Sequence, residues 1–436
     1  MKIFCAESVH LGREILEELI FESISPDLDP IIKENITWKL GKSNFFTYFN
    51  DKEITSSDLK EVDALIVRSG TKVNAKLLEN TSVKFVGTAT SGIDHIDTKY
   101  LEENNIYFCD AAGSNANSVS DYVISAIQYI STEKKINLEG KKIAIIGCGN
   151  VGITLIPKLK SLGLETLIND PPKAYSKTLQ QDLLLQLESL DKILPEADIV
   201  TIHTPLVETG KWPTKNLVNK VFLDLMKKDS IFINTSRGGI CDEDALLEAK
   251  KNNQIRYIVT DVWNNEPNYN VELCNQSIIA TPHIAGHSYH AKLLGTLMCF
   301  RALNKYSKSE AIEHVDEEQF HKRCFIDIDM EKVSSEEQAL AKIISQTYNI
   351  IEDSNFMKNQ KLKNNIVDPK RVKKYIDTLD KTNFFNYMRQ TYDSRREFKD
   401  MEVNLLNASK KFESKLSTLG FKISGKHKRN WFDHLK

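Results

Sequence analysis

The stretch Ile143-Ala-Ile-Ile-Gly147-Cys-Gly149-Asn-Val-Gly152 predicts the fold of this chain. An apolar, β-branched run that ends in G-x-G-x-x-G indicates a strand that turns sharply into a helix. Gly147 permits the turn, Gly149 lets the backbone approach a diphosphate, and Gly152 lets the helix pack on the strand. The sequence therefore predicts the strand–turn–helix unit at which a dinucleotide binds.

Two further features of this region favour a dinucleotide over a purely structural turn. The helix begins at Asn150 and Val151, where free N–H groups and a partial positive charge suit a diphosphate. Asp170 ends the next strand, where its carboxylate can accept hydrogen bonds from the adenosine ribose. The same carboxylate repels a 2′-phosphate, so NAD is favoured over NADP. A structural turn alone would leave Asp170 unexplained.

The composition limits the classes of protein to be considered. The 436 residues allow two or three domains, and 41% hydrophobic with 27% charged residues is typical of a soluble globular protein. The chain has no apolar run of membrane-spanning length, and Met1-Lys-Ile-Phe4 leads directly into a strand, so neither a membrane span nor a signal peptide is expected. A net charge of −2 argues against a nucleic-acid partner.

The seven cysteines are scattered, and no two of them form a C-x-x-C pair. This spacing supports neither a disulfide framework nor a zinc site, and no metal is predicted. Reduced thiols predict a cytoplasmic protein.

The order of strands and helices predicts an α/β protein of three parts. Residues 1–112, with the helix of residues 288–306, form a flavodoxin-like substrate domain, and residues 113–287 form a Rossmann-type, doubly wound parallel sheet that binds NAD. Residues 307–436 predict a small α+β domain without a catalytic constellation. Extra residues near 21–50 and 358–380 receive no interpretation.

Two local predictions concern the last part of the chain. Ser334 and Glu337 have the spacing of a capping box, which predicts a helix through about Ile351. The aromatic-rich run Phe384–Phe398 predicts a further helix, whose aromatic side chains are expected in the core or at a subunit interface.

Three polar residues follow strands of the nucleotide unit and together suit the oxidation of a hydroxy acid. Arg237 offers a planar fork of donors to a substrate carboxylate. His283 can accept the hydroxyl proton as hydride leaves the same carbon, and Glu266 can hold the other imidazole nitrogen. Each residue alone has a structural explanation, but together, beside the glycine turn, they favour catalysis.

The motifs resemble those of the D-isomer-specific 2-hydroxyacid dehydrogenases. The stretches in question, in one order along the chain, are Gly147–Gly152, His203-Thr-Pro-Leu206, Asn234-Thr-Ser-Arg237-Gly-Gly, Asp261-Val-Trp263 with Glu266-Pro267, and Pro282-His283-Ile-Ala-Gly286. The resemblance implies an NAD-dependent enzyme with Arg237, Glu266 and His283 in the active site and His283 as proton donor. It implies NAD contacts at Asp170, Thr204, Thr235, Ser236, Arg237, Asp261 and Gly286.

Other stretches resemble members of this family that oxidise a small phosphorylated hydroxy acid and form homodimers through a C-terminal domain. They are Val67-Arg-Ser69, Phe85–His95, Asp170-Pro-Pro172, Phe385–Glu397 and Leu416–Phe421. This likeness implies substrate contacts at Ser69, Thr90 and Arg237. A tyrosine is expected after His-Ile-Ala-Gly, but this chain has His287. We also hypothesise that Arg68 or Lys72, on either side of Ser69, neutralises the substrate phosphate.

Two alternatives remain open from the sequence. One is another dehydrogenase of the family, acting on D-3-phosphoglycerate or a lactate-like acid, and the C-terminal part of the chain argues against it. The other is an NAD-sensing binding protein on the same scaffold, which the Arg-Glu-His set does not exclude. Turnover of a hydroxy acid with NAD separates enzyme from sensor.

Overall fold

The computed structural model describes residues 2–10, 46–51, 53–178, 180–184, 186–307, 324–359 and 381–424. Most of the uninterpreted stretches near 21–50 and 358–380, and the basic tail after Gly425, lie outside these residues. The chain divides into two compact units. The first contains Met1–Asn115 and Tyr289–His321, and the second contains Ala116–Ser288 and Lys322–Lys436.

The helices and strands are numbered in chain order. The strands are β1 Ile3–Ala6, β2 Phe46–Phe49, β3 Ala64–Val67, β4 Phe85–Thr88, β5 Tyr107–Cys109, β6 Lys142–Ile146, β7 Glu165–Asn169, β8 Ile199–Ile202, β9 Ser230–Asn234, β10 Ile255–Thr260, β11 Ile279–Ala280, β12 Cys324–Asp329, β13 Met401–Leu406 and β14 Lys422–Ser424. The helices are α1 Ala75–Leu78, α2 Thr98–Glu103, α3 Ala116–Lys134, α4 Asn150–Ser161, α5 Pro171–Ser176, α6 Gln181–Leu184, α7 Leu190–Ile193, α8 Lys220–Leu225, α9 Glu243–Lys251, α10 Val271–Gln276, α11 Tyr289–Ser307, α12 Glu336–Thr347, α13 Ile350–Asn359, α14 Lys381–Gln390 and α15 Lys410–Leu419. Short 3₁₀ helices cover Gly238–Ile240, Met330–Lys332 and Phe398–Asp400.

The first unit is built on a parallel sheet of order β2-β1-β3-β4-β5. Every residue of β3 and β4 is buried, as expected of central parallel strands covered on both faces. Helix α11 contributes Leu293 and Phe300 to the core of this sheet, as the sequence predicted. The sequence did not predict β2, because its four residues end a stretch without a clear pattern.

The second unit contains the predicted Rossmann sheet, a parallel sheet of order β11-β10-β9-β8-β6-β7. From β6 the chain passes to β7 on one side and then crosses to β8 on the other. The order of strands therefore reverses between β6 and β8, and ligands bind at the carboxyl ends of strands at such a point. The glycine turn follows β6 directly.

The C-terminal segment (residues 324–359 and 381–424) belongs to the second unit. It adds a parallel sheet of order β12-β13-β14, with helices between the strands. The sequence predicted an α+β arrangement, but parallel strands joined through helices make this segment α/β. Its Ile328, Leu340 and Phe412 share one apolar core with Val123 and Leu159 of the Rossmann part.

Two local predictions in the C-terminal segment were wrong by a few residues. Helix α12 is capped by Ser335, whose side chain accepts from the N–H of Gln338, and not by Ser334. Helix α14 ends at Gln390 and not near Phe398, because the following residues leave the helix and pair with the Rossmann part. Phe384 and Phe385 of α14 are buried in the core of the unit, so these two aromatic residues are core residues.

In the described part of the chain, no helix combines the length and the hydropathy needed to cross a membrane. All seven cysteines are free thiols.

Candidate active site

The glycine turn has the geometry that its three glycines predict. Gly147 has φ +99°, and a Cβ there would lie 2.7 Å from the carbonyl oxygen of His203. A Cβ at Gly152 would lie 2.4 Å from the carbonyl oxygen of Gly147, so only glycine allows α4 to begin this close to β6. A Cβ at Gly149 would meet no atom of the described residues within 4 Å. These residues therefore leave space for a ligand beside Gly149.

The surroundings of the turn fit a dinucleotide. In the described part of the chain, no side chain caps the N-terminus of α4, so its first N–H groups stay available to a diphosphate. Asp170 accepts from the N–H groups of Cys148 at 2.8 Å and Lys173 at 2.9 Å, which fixes its carboxylate beside the turn. Among the residues that the structure describes, the buried hydroxyl of Thr204 has no hydrogen-bond partner. A ligand that crosses the turn could supply that partner and use the remaining lone pairs of Asp170.

Glu266 and His283 form a hydrogen-bonded pair. The distance between Glu266 Oε2 and His283 Nδ1 is 2.8 Å, while Oε1 accepts from the N–H of Trp263 at 2.9 Å. The carboxylate thus fixes the orientation of the imidazole and leaves its Nε2 for a substrate. The two side chains are 21% and 27% exposed, so they are sheltered but reachable from solvent.

The environment of Glu266 keeps its carboxylate charged. Burial alone would raise its pKa, but attraction to His283 and Arg389 and the hydrogen bonds from His283 and Trp263 outweigh burial and lower the pKa. An ionised Glu266 stabilises a positive charge on the imidazole, as proton transfer to His283 requires.

The backbone that carries His283 is unusual and is held by Asp261. His283 has φ +57°, a left-handed conformation that is uncommon for residues other than glycine, although histidine adopts it more often than most. The fully buried Asp261 carboxylate accepts from the N–H groups of Ile284 and Ala285, each at 2.8 Å, and from the hydroxyl of Thr281 at 2.6 Å. The sequence resemblance implied an NAD contact for Asp261. Within the protein, the contacts of its carboxylate organise the loop of residues 281–288, called the histidine loop below.

The Arg237 loop is organised by Asn234 at the end of β9. The side-chain oxygen of Asn234 accepts from the N–H and hydroxyl of Ser236, and its amide donates to the Arg237 carbonyl at 3.2 Å. Arg237 is half-buried, and its Nη1 donates to the Ser236 carbonyl at 2.8 Å. Thr235 approaches the half-buried His203, with Oγ1 3.5 Å from Nδ1. Burial lowers the pKa of His203 to about 3, so this ring is neutral.

Ser69 and Thr90 belong to the first unit, where both follow central strands. Ser69 is exposed in the loop after β3. Thr90 donates to the carbonyl of Gly92 at 2.8 Å and lies 2.8 Å from the Thr88 hydroxyl, which in turn lies 2.9 Å from His95 Nε2. Burial is the main cause that lowers the pKa of His95 to about 4, so a neutral imidazole can donate through Thr88 and orient Thr90. The sequence did not single out His95.

The sequence also did not single out Arg395, a buried arginine of the C-terminal segment that contacts the histidine loop. No local pattern distinguishes it from a surface arginine, because the backbone carbonyls to which it donates are more than a hundred residues away. His287, at the position where a tyrosine was expected, donates its N–H to the Ile284 carbonyl at 2.8 Å. Its ring centroid lies 6.3 Å from that of Tyr392.

Within the described ranges, no three His, Cys, Asp or Glu side chains are grouped so that they could hold a metal ion.

Residues 119–285 match the family model of the D-isomer specific 2-hydroxyacid dehydrogenase, NAD binding domain. The chain is 34% identical to erythronate-4-phosphate dehydrogenase of Wigglesworthia glossinidia brevipalpis over 91% of this chain and 97% of that protein. It is 46% identical to the enzyme of the same name from Hydrogenovibrio crunogenus, in a match that spans 58% of this chain and 64% of that protein, a little under two thirds.

Solved structures show the same fold at lower identity. Formate dehydrogenase from Staphylococcus aureus in complex with NAD is 22% identical with a TM-score of 0.53, and the match covers 70% of this chain and 96% of that one. D-lactate dehydrogenase from Aquifex aeolicus complexed with NAD and lactic acid is 20% identical with a TM-score of 0.52 and the same coverage. With the full-length match above, these findings show that the chain belongs to the erythronate-4-phosphate dehydrogenase family, within the D-isomer specific 2-hydroxyacid dehydrogenases.

Proposed function

We propose that this protein oxidises 4-phospho-D-erythronate with NAD to 2-oxo-3-hydroxy-4-phosphobutanoate, a step of pyridoxal 5′-phosphate synthesis. The observation that carries the proposal is the 2.8 Å contact between Glu266 Oε2 and His283 Nδ1 in an NAD-binding domain. The names of relatives that match along nearly the whole chain support this substrate.

Arg237, His283 and Glu266 each have a separate role in the proposed oxidation. The guanidinium of Arg237 holds the substrate carboxylate and so orients the adjacent C–OH group. His283 Nε2 takes the hydroxyl proton while the C2–H bond breaks and the C–O bond becomes a carbonyl. Glu266 stabilises the imidazolium that results. Bound NAD supplies the acceptor for the hydride of C2, so the products are the 2-oxo acid, NADH and a proton.

We assign the cofactor to the turn and to the loops beside it. The residues involved are Gly147, Gly149, Asn150, Val151, Gly152, Asp170, Thr204, Thr235, Ser236, Arg237, Asp261 and Gly286. In this assignment the free amides of α4 bind the diphosphate and Asp170 binds the ribose. Asp261 also positions the loop that carries His283, since its carboxylate oxygens accept hydrogen bonds from that loop.

For the substrate we assign Ser69, Thr90, Arg237 and His287. Thr90 donates its own proton to Gly92, so toward a substrate hydroxyl it acts as an acceptor. His287 can donate a hydrogen bond where the family resemblance led us to expect a tyrosine. Arg68 or Lys72 neutralises the phosphate. We further propose a cytoplasmic homodimer in which the C-terminal segment forms the subunit contact.

The proposed function is tested by NADH absorbance with a panel of D-2-hydroxy acids. We expect turnover of 4-phospho-D-erythronate and much weaker turnover of unphosphorylated D-erythronate, D-3-phosphoglycerate and D-lactate. A preference for D-3-phosphoglycerate or D-lactate would assign the chain a different substrate. NADH binding without turnover of any acid would identify an NAD sensor.

The phosphate assignment is tested with Arg68→Ala and Lys72→Ala. Loss of the cation that binds phosphate should lower kcat/KM for 4-phospho-D-erythronate by about tenfold or more, the scale of one charge-assisted contact. The same variant should leave kcat/KM for unphosphorylated D-erythronate nearly unchanged. Equal losses for the two acids in both variants would contradict the assignment.

A further inference from the structure

The loop that follows His283 is held by one anion and one cation. The Asp261 carboxylate accepts from the N–H groups of Ile284 and Ala285. The guanidinium of Arg395 donates to the carbonyl oxygens of the same two residues, with 2.8 Å between Nη1 and the Ile284 oxygen and a close contact between Nη2 and the Ala285 oxygen. The two residues after the imidazole are therefore bonded through both their N–H and their C=O groups.

Arg395 reaches this loop from the C-terminal segment and is only 8% exposed. Its Nη2 also donates to the carbonyl of Ser118 at 2.9 Å, and its guanidinium carbon lies 4.4 Å from the centre of the Tyr348 ring. A buried cation is costly unless its donors are bonded, and here a planar fork serves several acceptors and stacks on an aromatic ring. A lysine ammonium could not reproduce these contacts.

The backbone near Arg395 extends the contact. Ser288 and Arg395 form a parallel β-bridge, and the Ser288 hydroxyl donates to Glu397 Oε1 at 2.6 Å. Arg395 and Glu397 thus contact the loop at both ends, at residues 284 and 285 and at Ser288. This contact also explains why α14 stops at Gln390, because a continued helix could not present Arg395 to the loop.

The contacts of Asp261 and Arg395 with the loop affect His283 through its backbone conformation. A histidine at φ +57° is strained and keeps that conformation only where its surroundings fix it. Asp261 fixes the N–H groups after His283, and Arg395 fixes the carbonyls. Without Arg395, the peptide groups of Ile284 and Ala285 could rotate and let His283 relax toward an ordinary conformation, which would move the imidazole away from Glu266.

We propose that Arg395 is a positioning residue for His283, so that the C-terminal segment completes the active site of its own chain in addition to any role in dimerisation. The proposal rests on the proposed proton transfer by His283. Arg395 acts through the peptide groups of the loop and not by contact with the substrate.

The test compares Arg395→Met with Lys358→Met as a matched control. Lys358 also belongs to the C-terminal segment and donates to two backbone carbonyls, those of Ser277 and Ile278, but it does not contact the histidine loop. We expect Arg395→Met to lower kcat by about 10²-fold, the scale of a misplaced reacting group, with little change in the Kd for NADH. Lys358→Met should retain kcat.

A second measurement does not depend on turnover. Hydrogen exchange of residues 283–288, followed by mass spectrometry on the ligand-free protein, should become faster in Arg395→Met and stay unchanged in Lys358→Met. Light scattering controls for a change of oligomeric state. Because this readout needs no substrate, a failure of the inference can be told apart from a failure of the proposed function.

Arg395→Lys covers the case in which the methionine variant does not fold. It keeps the buried charge but cannot hold both carbonyls in the same geometry, so we expect its kcat to be lowered by about tenfold, with faster exchange in residues 283–288. The proposal is overturned if a folded Arg395 variant matches Lys358→Met both in kcat and in exchange of this loop.

Discussion

The glycine turn after β6 and the histidine loop (residues 281–288) after β11 both follow strands of one sheet, yet they are built in opposite ways. The turn depends on three glycines within six residues and on the adjoining strand ends. The loop depends on Asp261, which follows the adjacent strand, and on two partners far away in the chain, Ser118 and Arg395. The proposed cofactor site therefore depends mainly on local sequence, whereas the proposed acid–base site depends on tertiary contacts.

This difference predicts how each region tolerates change. A substitution at Gly149 in the turn should act directly on NAD binding, because the proposed diphosphate site lies against the added atom. A substitution in the support of the loop should leave NAD binding intact and act on proton transfer, since only the position of the imidazole changes.

The largest effect is expected for His283→Ala. Loss of the acid–base group should lower kcat by about 10²- to 10⁴-fold, while fluorescence titration should give an unchanged Kd for NADH. Glu266→Gln keeps the shape of the pair but removes its charge, so its kcat should lie between that of wild type and that of His283→Ala. Near-normal turnover of His283→Ala would remove the imidazole from the mechanism and with it the contrast between the two regions.

An effect of intermediate size is expected in the turn itself. A Cβ at Gly149 meets no atom of the described residues, so Gly149→Ala should fold normally yet raise the Kd for NADH about tenfold by occupying the space proposed for the diphosphate. Gly152→Ala is the contrasting variant: its Cβ meets the Gly147 carbonyl, and it should lower the free energy of unfolding by about 1–3 kcal/mol. If Gly149→Ala bound NADH like wild type, the diphosphate would lie elsewhere.

The smallest expected effect is on the pH dependence of stability, through Glu397, which accepts a hydrogen bond from Ser288 at the end of the histidine loop. Burial raises the pKa of Glu397 from 4.5 to about 7; Asp121 and Asp400 add to this shift, while Lys399 and the Ser288 hydroxyl oppose it. A carboxyl group with a raised folded-state pKa stabilises the fold fully below its ordinary pKa, and this contribution is lost as pH rises through about 7. Glu397→Gln stays neutral and avoids the loss.

In urea unfolding, the stability of Glu397→Gln relative to wild type should therefore increase by about 1 kcal/mol between about pH 6 and pH 8. Glu352→Gln, at an exposed position of the same segment, serves as the control and should show no such trend. A constant difference between Glu397→Gln and wild type across this range would mean that Glu397 does not titrate there.

Much of the fold follows from local patterns. Strands such as Ala64–Val67, Phe85–Thr88 and Ser230–Asn234 have the bounds that their apolar runs predict, because a buried parallel strand is a continuous hydrophobic run. The pairing of Glu266 with His283 was also predicted, since both residues follow strands that end at one edge of a parallel sheet.

The errors lie where long-range contacts override local preference. The run Phe384–Phe398 has the composition of a helix, yet α14 ends at Gln390 because the residues that follow bond to the histidine loop. The α+β prediction for the C-terminal segment failed because a sequence does not state which strands become neighbours.

The sequence by itself determined the strand–turn–helix unit and the chemical groups that the reaction needs, because glycine spacing and side-chain chemistry act over a few residues. Only the tertiary structure decided that Asp261 bonds to the N–H groups after His283 while Arg395 bonds to the carbonyl groups. The physical reason is that a strained backbone conformation is maintained by its surroundings, and those surroundings come from parts of the chain that meet only on folding.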